Sequence, residues 1–240
     1  MNLNYFLETT DTIEKGHGFT LYGPIHLMWL IIGVLSIIFV LKQYKTKDKV
    51  KIRKIIAILL LIDEIYKHLF LLIGNRWIYD YLPLHLCSIN IFFCLIDAFK
   101  PNKIVRHFIS IICIPGALLA LLSPSWTALP LLNFMHIHSF TVHILLVMYP
   151  ILLLSDKDNK PEMKYTLLSM ALLLLLLIPI YFVNACLDTN FFFLMNDENI
   201  AIFEIFKNIF GSHLFAFPIL GSIIAPLMVG IWHFINSKVK

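Results

Sequence analysis

A residue whose type could do nucleophilic chemistry is Cys87, within LPLHLCSINIFF at 82–93, although cysteine also serves as a small buried apolar residue. A thiol becomes a useful nucleophile only with a base or cation beside it, and the base needs an orienting group of its own. His85 is near in sequence, yet residues two apart on a helix point about 200° away from each other. His85 then shares a face with Ser88, and Cys87 shares one with Asn90 and Cys94. A base for Cys87 must come from another segment, and His136 and His143 are the candidates. The remaining cysteines, at 94, 113 and 186, make neither a CxxC pair nor a disulfide framework.

A second cluster lies in LLIDEIYKHLF at 60–70, where Asp63, Glu64, Lys67 and His68 interrupt an apolar run. Asp63 with Lys67, and Glu64 with His68, are four apart, the spacing of helical neighbours. One reading is two internal pairs that lock a bundle. The other is a polar wall in which Glu64, with Asp63, orients or charge-balances a histidine, as the third member of a triad does. His136 and His138 look like a metal-ligand pair, but two residues apart they diverge on a helix. His136 and His143 share a face at a separation too long for one ion, and HExxH is absent. Neither a metal nor a cofactor is expected.

The surroundings that must position these groups are hydrocarbon. Of 240 residues, 59% are hydrophobic and 14% charged, with a mean hydropathy of +0.82. A soluble domain carries roughly a quarter charged residues, so this surface cannot be covered for water. The composition predicts one all-α, polytopic membrane domain over 1–240. Segments of bilayer-spanning length fall at about 24–41, 52–73, 82–99, 104–122, 131–154, 164–184 and 213–236. Basic residues alternate between the connections. Lys42, Lys45, Lys47, Lys49, Lys51, Arg53, Lys54, Lys100, Lys103, Arg106, Lys157, Lys160, Lys164, Lys238 and Lys240 fall on one side, and Lys15, Arg76 and Lys207 on the other. The positive-inside rule then places the N-terminus outside and the C-terminus in the cytoplasm of a seven-helix bundle.

That orientation sets depth at about 1.5 Å per residue. Glu64 lies near mid-membrane, and His68, His85, Cys87, His136, His138 and His143 lie in the outer half. His26 and His213 open the first and last spans from outside, whereas His107 and His233 fall on the inner side. The convergence predicts a polar cavity in the outer half, since ionisable groups at membrane depth usually serve function. In the 185–212 connection, NFFFL and IFEIFKNIF read as an interfacial amphipathic helix. Pro150, Pro179, Pro218 and Pro226 are expected to kink helices.

LPLHLCSINIFF resembles a motif of the YwaF-type family of bacterial integral membrane proteins. LYGPIHLMWL at 21–30 and TNFFFL at 189–194, followed by IFEIF, are similar to two further stretches of that family. The resemblance covers essentially the whole chain. It extends distantly to the animal transmembrane protein 164 acyltransferases, which move fatty acyl chains between phospholipids through a cysteine thioester. The resemblance implies Cys87 as the acyl-accepting nucleophile and His85 as part of its motif; His26 and Asn190 match family positions without a role. In the animal motif cysteine directly precedes histidine, whereas here His85 precedes Cys87 with Leu86 between.

The expectation is a lipid-modifying enzyme of the cell membrane that transfers acyl groups between phospholipids or lysophospholipids. Cys87 would be the nucleophile and His143 or His136 the base, with no nucleotide or nucleic acid involved. His26, Asp63, Lys67, His68, Asn90, His138 and Asn190 would line or support the cavity. The competing class is a transporter or small-ligand or metal-binding protein using the Asp/Glu/Lys/His cluster as a proton relay or solute site.

Overall fold

Short polar side chains set where several helices begin. Asp48 accepts the Val50 and Lys51 amides and starts α2 (Lys49–Ile73). Asn102 does the same for Ile104 and Val105 at α4 (Lys103–Phe108), and Asn133 for Met135 and His136 at α6 (Phe134–Leu154). Each acceptor satisfies amides that the first helical turn leaves unpaired. Pro24 opens α1 (Pro24–Thr46), where its missing N–H is not needed. The other helices are α3 (Leu86–Phe99), α5 (Ile114–Leu122), α7 (Met163–Leu187), α8 (Ala201–Phe210) and α9 (Ala216–Lys238). The computed structural model describes residues 3–198 and 200–238, and among these every regular element is helical. Helices α4 and α5 form one rod, Lys103–Leu122, joined by π-helical Ile109–Cys113.

Among the described residues six helical stretches are long and apolar enough to cross a membrane: Pro24–Thr46, Tyr79–Phe99, Lys103–Leu122, Phe134–Leu154, Met163–Leu187 and His213–Ser237. The chain is therefore a multi-pass helical membrane protein. Helix α2 has 25 residues but is not among the six, because Asp63, Glu64 and Lys67 stand inside its apolar stretch. Its burial is inverted relative to a soluble helix. Arg53, Leu60, Glu64, Lys67 and Leu71 face inward, where α2 packs on α3 and α6. Ile58, Ile62, Ile65, Leu69 and Leu72 are exposed on the opposite side.

Helix α6 is the hub, packed against α1, α2, α3, α5, α9 and the π-helical turn. Phe140, Leu146, Tyr149 and Leu152 are all fully buried, as a helix apolar on every side requires. At the lysine-rich end of the bundle, fully buried Asp97 accepts from Arg106 Nε at 2.6 Å and Tyr149 Oη at 2.8 Å. At the lysine-poor end, the segment before α1 forms a cap. Asn133 Nδ2 donates to the Tyr5 and Glu8 carbonyls at 2.7 Å each, and Arg76 pairs with Glu8 through both carboxylate oxygens at 2.8 and 2.9 Å. The Phe19 amide donates to the Thr127 carbonyl at 2.8 Å. Beside it, a Cβ on Gly18 would stand 1.9 Å from that same oxygen, so the cap can approach the loop only with glycine there.

Three expectations change, and one falls outside the described residues. The basic stretch at 42–54 is not a loop: α1 runs to Thr46 and α2 starts at Lys49, leaving Lys47 and Asp48 between. Lys240, one of the basic residues on the lysine-rich side, lies outside the described residues. Pro218 sits in the first turn of α9, where no helical hydrogen bond is lost, whereas Pro150, Pro179 and Pro226 are inside helices. NFFFL is not helical with α8 but a 3-10 turn, Phe191–Phe193, in which Phe192 and Phe193 have φ of 58° and 56°. Helix α8 alone forms the amphipathic element, closed by Gly211 at φ 79°.

Candidate functional site

Cys87 sits in the first turn of α3 and His143 in the middle of α6, with Cys87 Sγ 3.2 Å from His143 Nε2. The opposite ring nitrogen, His143 Nδ1, is 2.6 Å from the Ser139 carbonyl one turn back. A carbonyl only accepts, so Nδ1 carries the proton and Nε2 presents its lone pair to the thiol. The thiol donates to a neutral imidazole whose tautomer is fixed by the backbone. Trp126, from the loop before α6, stacks on the His143 ring at 5.3 Å and 17°, and meets Phe140 edge-on at 5.3 Å.

Ser88, the next residue along, donates to Glu64 Oε1 at 3.2 Å and joins α3 to the charged network of α2. Glu64 Oε1 also takes Lys67 Nζ at 2.5 Å and lies 3.5 Å from His68 Nε2. His68 accepts at Nδ1 from the Trp77 indole at 3.2 Å, which leaves Nε2 protonated toward Glu64. Asp63 accepts from Thr141 Oγ1 at 3.0 Å and stands 3.4 Å from His138 Nδ1, a pairing by proximity without hydrogen-bond alignment. Lys67 thus takes Glu64, three residues away, rather than Asp63. The helix turns Glu64 and Lys67 inward together and leaves Asp63 toward α6.

Several expected partners lie elsewhere. His136 does not reach Cys87: its Nδ1 donates to the Leu129 carbonyl at 3.1 Å, and its Nε2 accepts from the Trp29 indole at 2.9 Å. Both nitrogens are committed, and the ring is fully buried. Glu64 does not orient the histidine that meets the thiol; the Ser139 carbonyl holds that place. His85 is the extended N-cap of α3 and packs edge-on against Phe191 at 4.9 Å, away from the pair. His26 bridges the Tyr22 amide and the Leu121 carbonyl, tying α1 to the end of α5. Asn190 folds the 190–198 loop through Met195, Asn196 and Glu198. Asn90 donates to the Leu86 carbonyl at 2.9 Å, with its Oδ1 buried and unpaired.

The polar groups around Cys87 are packed on one another rather than spread around open space. Cavities of about 400 Å³ and 650 Å³ are lined by residues such as Asp80, Asp188 and Glu198, and by Leu7, Glu8 and Arg76, and Cys87 lines neither. Among the described residues no three His, Cys, Asp or Glu side chains converge as metal ligands. Outside the membrane, the Thr12 hydroxyl and the Arg76 guanidinium hold the Glu8 carboxyl below its ordinary value.

Sequence reasoning missed Trp126, Ser88, Thr141 and the Ser139 carbonyl. Only the last had a signal, because a helical histidine can donate to the carbonyl four residues back. What fold and site define is a polytopic helical membrane protein with a cysteine–histidine pair in hydrogen-bond contact between two of its long helices. The chain matches the model of the TMEM164 family over residues 21–235 and belongs to that family. The match spans Cys87, Trp126 and His143 and begins after most of the cap. No curated protein and no solved structure matches the chain.

Proposed function

We propose that this protein is a phospholipid acyltransferase of the cell membrane, from the bacterial YwaF-type branch of its family, working through a cysteine thioester. The observation that carries the reading is the 3.2 Å contact of Cys87 Sγ with a His143 Nε2 held as acceptor by Ser139. His143 takes the thiol proton as Sγ attacks the acyl carbonyl carbon. It returns that proton to the departing lipid hydroxyl, and a lysophospholipid hydroxyl reverses both steps. One ester is exchanged for another, so no nucleotide is required.

In this reading α2 is the seventh span, its charges facing the bundle and its apolar side facing lipid. The lysine-poor end, with the cap, faces outside, and Cys87 and His143 lie in the outer half of the bilayer. The test is intact mass of protein incubated with labelled phospholipid and lysophospholipid. Expected is a hydroxylamine-labile acyl adduct, lost in Cys87→Ser and kept when Cys94, Cys113 or Cys186 is changed to Ser. An adduct that survives Cys87→Ser defeats the thioester.

A second reading has one specific support, the network of Asp63, Glu64, Lys67, His68 and His138 across α2 and α6, with Glu64 and Lys67 buried at its centre. Such groups suit a proton relay in a transporter. Gradient-driven solute uptake in proteoliposomes, with no acyl exchange, would favour it.

A further inference from the structure

The indole Nε1–H of Trp126 is buried and meets no hydrogen-bond acceptor. A buried indole N–H normally finds one, and an orphan donor in a folded core calls for a reason. The ring is also firmly held. It stacks on His143 and meets Phe140 edge-on, each at 5.3 Å. Its loop is pinned by the Phe19 amide on the Thr127 carbonyl at 2.8 Å and by His136 Nδ1 on the Leu129 carbonyl at 3.1 Å. The Leu129 amide closes the turn on the Trp126 carbonyl at 3.1 Å. A fixed donor without an acceptor thus belongs to the ring that stacks on the imidazole in contact with the thiol.

We propose that Trp126 is a catalytic residue whose indole N–H receives the anionic oxygen formed when Cys87 attacks a lipid acyl ester. This rests on the acyl-transfer reading above. As the Sγ–carbon bond forms, the thiol proton passes to His143 Nε2 and the carbonyl π electrons move onto oxygen, toward the indole N–H. Collapse restores the carbonyl, breaks the carbon–oxygen ester bond and sends the His143 proton to the leaving hydroxyl, releasing the lysophospholipid and leaving the thioester. Attack by a second lipid hydroxyl runs through the same oxyanion. A preorganised donor in low-dielectric surroundings favours that charge without having to reorient.

The test uses the full-length protein in detergent, fluorescent phosphatidylcholine as donor and lysophosphatidylethanolamine as acceptor. Trp126→Phe leaves an aromatic ring over His143 and removes the N–H. A second variant carries 3-benzothienylalanine at 126, which keeps the shape of the indole and replaces N–H by sulfur. Removing one oxyanion donor is expected to lower kcat about 10²–10³-fold. KM and the rate of Cys87 alkylation by maleimide should stay within about threefold. The sulfur isostere must show the same loss, and it decides the matter if the Phe variant does not fold. An isostere that keeps wild-type kcat overturns the proposal, as does a fall in kcat matched by an equal fall in alkylation, which would mean the ring only positions His143. A wild-type protein with neither adduct nor exchange defeats the acyl-transfer reading itself, whatever stands at 126.

Discussion

Replacing Glu64 by Gln tests whether the charged network holds the bundle together or does chemistry. Lys67 Nζ is 2.5 Å from Glu64 Oε1, and the side chains are 7% and 5% exposed. Neither charge has water to fall back on. Removing one partner of such a pair typically costs about 3–5 kcal/mol, because the other charge stays buried and unpaired. His68 and Ser88 still have the substituted side-chain amide within reach, so the lower figure is expected. For a chain of this length about 3 kcal/mol corresponds to a fall in melting temperature of roughly 6–12 °C. Glu64→Gln with Lys67→Met removes both charges and should recover most of that loss, a coupling visible in a double-mutant cycle. Melting would be followed by size-exclusion of heated detergent samples, and acyl exchange measured on the folded fraction. Because the Ser139 carbonyl, not Glu64, orients His143, the double variant should keep exchange within about tenfold. A single variant that melts within about 2 °C of wild type would refute the energetic argument. A double variant that folds well but is inactive would refute the separation of network from pair.

His143→Ala should lower acyl exchange by about 10²–10⁴-fold, the usual worth of a positioned base, whereas His136→Ala should act mainly on stability by freeing the Trp29 indole and the Leu129 carbonyl. Steady-state rates and melting of both variants check this, and equal loss of rate would remove the distinction. In a Cys186→Ser background, a cysteine at Lys15 should react with an impermeant maleimide on intact cells and one at Lys157 only after lysis; the reverse pattern would invert the topology. Glu8 has its carboxyl held low, so its pairing contributes above the ordinary carboxylate value and is lost as pH falls through the lowered one, below about pH 4. Hydrogen exchange in residues 3–19 should quicken there, and Glu8→Gln should produce the same quickening at neutral pH.

The sequence carried the coarse heights of the spans more securely than the register between neighbouring helices. Apolar length and the alternation of lysines were enough to put Cys87 and His143 at similar heights on separate spans. His136 and His143 share a face of α6, so which of them meets the thiol depends on height along the helix, a difference of seven residues or about 10 Å. That setting comes from packing: Trp29, reaching over from α1, claims His136, and the stacked Trp126 steadies His143. Neither aromatic carries a mark in the sequence that separates it from a membrane-interface tryptophan. The same limit explains the pairing in α2. Spacings of three and four are both helical neighbours, and Lys67 chooses Glu64 because Asp63 is turned to Thr141 and His138. His85 was misplaced for a simpler reason, since α3 starts after it and a helical-face argument does not apply to an extended residue.

The company His143 keeps also bears on how the thiol is used. An imidazole backed by a carboxylate is ready to be charged, and a cysteine beside it exists largely as thiolate. Here the backing group is a neutral carbonyl, and the nearby carboxylate, Glu64, is already engaged by Lys67. The pair therefore rests uncharged, which suits a site surrounded by hydrocarbon, where separated charges are expensive. In the acyl-transfer reading proposed above, proton transfer then accompanies attack rather than preceding it, and the charge that appears is divided between an imidazolium and an oxyanion at the moment of bond formation. A fixed dipole aimed at the oxyanion matters more in such an arrangement than in one whose thiolate is formed beforehand. The orphan N–H of Trp126 is proposed above to meet that requirement, and its ring already lies against the imidazole in contact with the thiol.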